Sequence, residues 1–332
     1  MNIVLAVPDA SYAAAARRAV EQAAKAIGLG DEDRGRAALV ATELATNLAR
    51  HGNGGEILLQ PVRADGETGL ELIAIDRGSG IDNLAERLRD GSSTYGSAGT
   101  GLGAIRRQSD DFDIHSMPGQ GTIVLARIWP QRRRPAERGW QVGSLSVAKA
   151  EEPVCGDSLG VLREGMTAAA MVADGLGHGI AANTASEEAR RLFSAHFPAS
   201  PAAAVQKIHA GLRATRGAAI GVALVDFAAS RVTFCGLGNI AGMAAAGGSV
   251  RRFVSMSGIA GHTAGRIQEF VYPCEGEGLV IVLHSDGLSG NWSLDRYSGL
   301  AARHPSLIAA MLFRDAGRRR DDATVLVMKR AP

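Results

Sequence analysis

The sequence predicts an α/β fold in two successive domains, and three observations lead there. At 332 residues the chain is longer than one hydrophobic core ordinarily serves. Helical and strand periodicities interleave over the first 130 residues. Beyond a proline- and arginine-rich boundary at 130–135 the pattern changes to many short apolar strands broken by a central helical pair, which implies two sheets covered by helices. The expected division is 1–130, a linker at 131–139, and 140–332.

Each element follows from local pattern. Ile3 to Val7 is apolar and ends at Pro8-Asp9; it is too short for a signal-peptide core or a membrane span and reads as an edge strand. Over 10–27, Ala15, Ala16, Ala19, Val20, Ala23, Ala24 and Ile27 recur at helical spacing until Gly28 and Gly30 stop the run. A second helix opens near Asp31 or Asp33 and reaches about His51, with Ala37, Val40, Leu44 and Leu48 as its buried stripe. Strands at 56–62 and 69–76 flank an Ala-Asp-Gly-Glu turn, and 112–117 pairs with 122–128 about Pro118-Gly119. The polar, glycine-rich stretch 82–103 has the length of a lid. In the second half, strands are expected at 142–149, 158–162, 167–173, 218–226, 231–236 and 278–284, with helices at 180–196 and 201–213.

Composition narrows the class. Hydrophobic residues make up 46% and charged residues 21%, which suits a globular protein and leaves no extended low-complexity tract. Three cysteines, Cys155, Cys235 and Cys274, are an odd number without metal-ligand spacing, so a reducing cytoplasm is the expected location. Arg132, Arg133, Arg134 and Arg138 form a basic run, yet no aromatic residues interleave to stack bases; a solvated linker is preferred over nucleic-acid binding.

Two constellations carry chemistry. On the second helix Glu43, Asn47 and His51 are spaced i, i+4, i+8 and share one face, apart from the apolar stripe. Asn47 can offer a neutral oxygen to Mg²⁺, and Glu43 can position or deprotonate a hydroxyl. The same spacing also suits a solvated helical face, and residues further along the chain decide between the two. Asp76 closes an apolar strand and is followed by Gly78 and Gly80, which let backbone approach a flat ring while the carboxylate accepts from an exocyclic amine. Gly99, Thr100, Gly101, Leu102 and Gly103 then feed a helix whose first amides can receive phosphates.

In the second half, Asp157, Asp174, Asp286 and Asp321 each stand at or just beyond a strand end beside small residues, where carboxylates can gather at one rim. Phosphate-ester hydrolysis by two hard cations needs such oxygen donors. A lone aspartate after a strand more often caps a turn, the reading given to Asp226. Four in order, with Asp174-Gly175-Leu-Gly-His178-Gly179 among them, set a different pattern.

In this order the first set resembles the GHKL ATPase family, and within it the small Ser/Thr kinases that phosphorylate anti-sigma-factor antagonists. The resemblance implies an α/β sandwich, a mixed sheet with helices on one face. It makes Asn47 the Mg²⁺ ligand, Glu43 the general base, Asp76 the adenine-reading carboxylate, Gly101 to Gly103 the phosphate loop, and Thr122 in Gly119-Gln-Gly-Thr122 an adenine-side contact. The second set resembles the metal-dependent PPM phosphatases of the SpoIIE-like branch, an α-β-β-α sandwich. That resemblance implies two Mn²⁺ or Mg²⁺ ions held by Asp157, Asp174, the Gly175 carbonyl, Asp286 and Asp321, with Asp321 preferred over Asp322. It gives His178 either proton transfer to the leaving oxygen or a structural role at a helix start. Gly236-Leu-Gly238-Asn239 is similar to a family loop to which no chemistry is assigned. Leu159 and Leu176 depart from the more polar or aromatic residues of relatives.

Together the resemblances imply a switch regulator that binds ATP or ADP with Mg²⁺, phosphorylates STAS-domain partners such as anti-sigma antagonists or stressosome-like scaffolds, and dephosphorylates phosphoserine or phosphothreonine. A phosphatase gated by a non-catalytic nucleotide domain and a non-catalytic partner-switching module are the alternatives. Homodimerisation through the first domain is common in relatives, and no membrane partner is expected because the apolar opening Ile3 to Val7 is too short to span one.

Overall fold

The computed structural model describes residues 2–84, 101–136 and 139–331. The chain divides into two compact units, Asn2–Ala136 and Glu137–Pro332. Among the described residues no helix is long and apolar enough to cross a membrane.

The first unit runs β1 (Ile3–Val7), α1 (Ala13–Ala26), α2 (Asp31–His51), β2 (Gly55–Ala64), β3 (Glu67–Ile75), α3 (Gly101–Gln108), β4 (Asp111–Ser116) and β5 (Thr122–Ile128). Its sheet has the order β1-β2-β3-β5-β4. Alternate residues of the central strands, Ile57 and Leu59, Leu70 and Leu72, Val124 and Ala126, meet Val20, Val40, Leu44, Leu48 and Ile105 of the three helices in one core. The helices therefore cover one face, as the sequence predicts. The sheet, expected as mixed, is antiparallel at every pairing. Connectivity explains this: α1 and α2 reverse the chain twice between β1 and β2, so the strand returns antiparallel. The single helix α3 makes β3 and β4 run the same way, but β5 inserts between them.

One buried ionic group ties these elements together. The Arg36 guanidinium on α2 bonds Asp33 (2.7 Å), Asp110 (3.0 Å), the Gln108 carbonyl that ends α3 (2.8 Å) and the Trp129 carbonyl (3.1 Å). Asp33 Oδ2 in turn accepts from the Gln131 amide, and Asp110 Oδ2 from the Trp129 amide. All three charged side chains are nearly inaccessible, so removing the cation strands two carboxylates away from water.

The second unit contains β6 (Trp140–Val147), β7 (Asp157–Glu164), β8 (Thr167–Gly175), α4 (Ile180–Ser194), α5 (Pro201–Gly211), β9 (Ala218–Asp226), β10 (Arg231–Leu237), β11 (Ala241–Ala246), β12 (Ser249–Arg252), β13 (Ser255–Met256), β14 (Phe270–Pro273), β15 (Val280–His284), α6 (Pro305–Ala316) and β16 (Ala323–Arg330). One sheet is ordered β13-β10-β9-β8-β7, with β14 also on β10; the other is β12-β11-β15-β16-β6. Trp140, Phe227, Phe234, Phe253, Ile281, Leu283 and Leu326 fill the layer between them, and Trp140 stacks on Phe227 at 5.4 Å. Phe193, Val205, Ile208 and Leu212 of α4 and α5 and the turn after it cover the outer face of the first sheet. Helix α6 lies against β6 and β16 of the second. This is the α-β-β-α layering expected.

Asp226 caps a turn through the Ala229 amide, 2.9 Å away, the bland role the sequence assigns it. The basic run at 132–134 lies on the first unit, where Arg134 pairs with Asp111 at 2.5 Å and Arg132 approaches Asp110 at 3.6 Å; Arg138 lies outside the described residues.

Replacing Arg36 with Met is expected to destabilise the first unit by about 3–5 kcal/mol. Urea unfolding of the full chain should show its transition at lower denaturant with the second unit's unmoved; an unchanged first transition would mean the buried group contributes nothing.

Candidate functional site

The first unit gathers its polar residues around the C-terminal half of α2. Glu43 and Asn47 are half-buried on one face, and His51 is exposed one turn further on. Helix α3 begins at Gly101, so Gly101, Leu102 and Gly103 form its first turn rather than a loop before it. A Cβ on Gly101 would lie 3.2 Å from Asn47 Oδ1 and 3.7 Å from Glu43 Oε2. Glycine therefore leaves open the space between the start of α3 and the two side chains. Gly99 and Thr100 lie outside the described residues, as does most of the expected lid.

Asp76 follows β3 and is fixed from two sides. Its Oδ1 accepts from the amides of Gly78 (2.8 Å) and Thr122 (3.0 Å), and its own amide donates to the Thr122 carbonyl (3.0 Å). Thr122 Oγ1 is 2.9 Å from Ser116 Oγ. A Cβ on Gly52, which ends α2, would meet Asp76 Cβ at 2.7 Å; one on Gly78 would strike the backbone of His51 and Gly52. Gly80 is left-handed at φ +71° and abuts Met117. The structure thus brings Asp76, Gly78 and Thr122 together, and separately Glu43, Asn47 and Gly101, along one helix. Among the described residues the buried Asn47 Nδ2 has no hydrogen-bond partner, while its Oδ1 is the end nearer Gly101.

In the second unit, antiparallel register places Asp157 directly opposite Asp174 on β7 and β8. Asp286 follows β15 of the other sheet, and Asp321 precedes β16. Asp174, Asp286 and Asp321 line one cleft of about 540 Å³ with Lys149, Leu176, His178 and Asn239. Asp157 lies behind it, buried: its Oδ2 accepts from Ser285 Oγ at 2.7 Å, and that hydroxyl accepts from the Thr324 amide at 3.0 Å. Glycines permit the convergence, since side chains at Gly175 and Gly287 would strike the backbones of Ala182 and Asp322.

Electrostatics match this crowding. Burial, then the charge of Asp286, pushes the Asp174 carboxyl up to about 7; the Asn239 hydrogen bond works in the opposite direction. Burial, followed by Asp174, holds the Asp157 carboxyl well above its usual range. Among the described residues Asp157 Oδ1 and Asp322 Oδ2 are buried without a partner. Orphaned oxygens among crowded carboxylates fit hard divalent cations. Among the described residues no three His, Cys, Asp or Glu side chains are grouped closely enough to hold one ion alone; Mg²⁺ and Mn²⁺ sites of this donor type draw further ligands from carbonyls and water. Asp321 is exposed to the cleft, whereas Asp322 is buried and spends Oδ1 on the Lys149 amide at 2.9 Å.

Four residues given no role from the sequence belong to this site. Lys149 lines the cleft. Ser285 holds Asp157. Glu152 meets His178 Nδ1 at 2.5 Å, and Asn239 bonds both Asp174 and Asp286. Only Asn239 had a signal, the Gly-Leu-Gly-Asn loop.

Residues 6–128 match the family model for the histidine kinase-like ATPase domain, and 164–331 that of stage II sporulation protein E, SpoIIE. The chain belongs to the SpoIIE family. This SpoIIE-family chain carries a histidine kinase-like ATPase domain in its first unit. It is 36% identical over 115 residues to the serine/threonine-protein kinase RsbT of Bacillus subtilis (strain 168), covering 35% of this chain and 86% of that one. It is 26% identical over 152 residues to the phosphoserine phosphatase RsbX of the same organism, covering 42% and 71%. Among solved structures, a chain from the bacterial stressosome, described as a modular system adapted to control secondary messenger signaling, superposes with a TM-score of 0.53 at 27% identity, over 57% of this chain and 98% of that one. RsbX in complex with magnesium shares the fold at a TM-score of 0.53 and 20% identity, over 59% and 98%. The second unit of the SpoIIE-family chain accordingly has a PPM-type phosphatase fold.

Because the Asp174 proton must leave before a cation binds, Mn²⁺ affinity is expected to fall about tenfold per pH unit below 7. The sign for stability is opposite. A carboxyl raised from 3.8 to about 7 favours the metal-free fold below 3.8 and loses that contribution as pH rises through 7. Calorimetric Mn²⁺ titrations at pH 6 and 8 check this; equal affinities would contradict it.

Proposed function

We propose that the chain is a switch regulator with two opposed activities: an ATP-dependent protein Ser/Thr kinase in the first unit and a phosphoserine/phosphothreonine phosphatase in the second. The single observation that carries the reading is the convergence of Asp174, Asp286 and Asp321 on one cleft, with buried Asp157 behind them.

In the phosphatase, Asp157, Asp174, the Gly175 carbonyl, Asp286 and Asp321 would hold two Mn²⁺ or Mg²⁺ ions. When bound, such ions neutralise phosphoryl charge and acidify water. Lys149 adds a cation for the phosphoryl oxygens. His178, oriented through Nδ1 by Glu152, offers a proton to the departing serine or threonine oxygen. Asp322 holds the backbone of Lys149 in the loop that follows β6.

In the kinase, Asn47 would hold the Mg²⁺ that accompanies ATP, and the first turn of α3, Gly101 to Gly103, would receive phosphate oxygens on backbone amides. Asp76, held by Gly78 and Thr122, presents its carboxylate to the adenine amine, with Gly80 nearby. Glu43 accepts the proton of the partner's hydroxyl. The partner we propose is a STAS-domain protein of the anti-sigma-antagonist or stressosome type, and the likeness to a kinase named RsbT and to a stressosome chain supports that choice. We place the activity in the cytoplasm, where three buried free thiols suit a reducing setting.

Incubating the full chain with a purified STAS protein and γ-labelled Mg-ATP should label the partner, and Glu43→Ala should abolish transfer. Mn²⁺ should then remove the label, with Asp174→Asn blocking removal. If wild type transfers nothing to any STAS partner, the kinase half fails; a phosphatase rate that then responds to nucleotide would favour gating instead.

A further inference from the structure

Asn239 lies between β10 and β11, at the join between the two sheets of the second unit. Its Nδ2 donates to Asp286 Oδ2 at 2.8 Å and to Asp174 Oδ2 at 3.3 Å. Asp174 ends a strand of one sheet and Asp286 follows a strand of the other, so one side-chain amide bridges carboxylates carried on different sheets. A primary amide suits such a bridge, because it has two N–H groups, one for each acceptor, and no charge. A lysine here would compete with any cation for the same oxygens, and an aspartate would add to the repulsion.

The loop that aims this amide is rigidly set. Gly238 has φ +99°, and a Cβ there would come within 2.5 Å of Ala219 Cβ and 3.2 Å of the Gly258 carbonyl. Its amide donates to the Met256 carbonyl at 2.8 Å. On the other side, the Ile240 carbonyl accepts from Ser255 Oγ at 2.6 Å. Asn239 is thus clamped at both neighbours, while its own side chain remains exposed in the cleft.

We propose that Asn239 is a positioning residue that holds Asp174 and Asp286 in the orientation needed to bind divalent metal. This rests on the reading of the cleft as a metal site. Each bond occupies one carboxylate oxygen and leaves the other, Oδ1, to face a cation, so the cation does not have to order two side chains from opposite sheets by itself. Hydrogen-bond partners of metal ligands ordinarily govern affinity by about 10–100-fold. Because the amide is exposed, its removal should cost the metal-free fold little.

The test is calorimetric titration of metal-stripped, full-length protein with Mn²⁺, paired with the metal-free melting temperature. Asn239→Ala is expected to raise the Mn²⁺ Kd by about 10–100-fold while the metal-free Tm stays within about 2 °C of wild type. Asn239→Gln, which keeps the NH₂ group on a longer stem, should recover part of the lost affinity. Wild-type Kd in Asn239→Ala would overturn the proposal and leave the metal reading standing. A metal-free Tm that falls in both variants, with no recovery in Gln, would overturn it in favour of a general folding role. Wild type that takes up no Mn²⁺ would remove the metal reading, and the proposal with it.

Discussion

Carboxylates brought together in a partly buried cleft repel one another, and the architecture of the second unit is organised around that repulsion. Sheet pairing does the work of holding them: β7 and β8 are locked in register along their whole length, and the second sheet reaches the cleft through Asp286 and Asp321. The layer of Trp140, Phe227, Phe234 and Leu326 between the sheets supplies the apolar burial against which this electrostatic cost is set. Hydrogen bonds from Ser285 and Asn239 then hold individual oxygens in place. The site is therefore a property of two packed sheets rather than of a loop.

The first unit meets a related problem with the opposite sign. Arg36 is a cation buried among carbonyls and two carboxylates, and it joins the start of α2 to the end of α3. Since α2 carries Glu43 and Asn47 near the start of α3, the buried group secures the far ends of both helices that frame the candidate nucleotide site. Packing of Val40, Leu44 and Leu48 on the sheet fixes the roll of α2 and so the direction of its polar face.

Much of this was legible because period and punctuation agree. The stripe Val40, Leu44, Leu48 has one helical solution, and Asp65-Gly66, both left-handed, mark the hairpin between β2 and β3. Helix α6 was missed for a physical reason: it is buried on nearly every side, so it has no amphipathic period to detect. Strand β11, Ala-Gly-Met-Ala-Ala-Ala, lacks the branched residues that mark strands, whereas β16 carries the unbroken apolar run of a buried strand, Val325 to Met328. In the candidate site, Asp-Gly pairs stood out because glycine is sterically forced beside the carboxylates. Asn239 had only the outline of its loop, and Glu152 had nothing, because their roles exist only through partners 65 and 26 residues away; Lys149 joins the site only where the fold lines the cleft.

The hairpin of β7 and β8 gives the site a ruler. Glu164 pairs with Thr167 across a two-residue turn, and counting back along both strands brings Asp157 opposite Asp174 at the other end. The turn thus sets, from roughly 25 Å away, which residues face each other at the cleft. Side chains alternate faces, so one residue gained or lost within either strand would turn a carboxylate toward the helix-covered outer face and bring its neighbour to the cleft. Loops in general lengthen at small entropic cost, but this hairpin is metrically constrained, and its length carries chemical information that no single residue in the turn reveals.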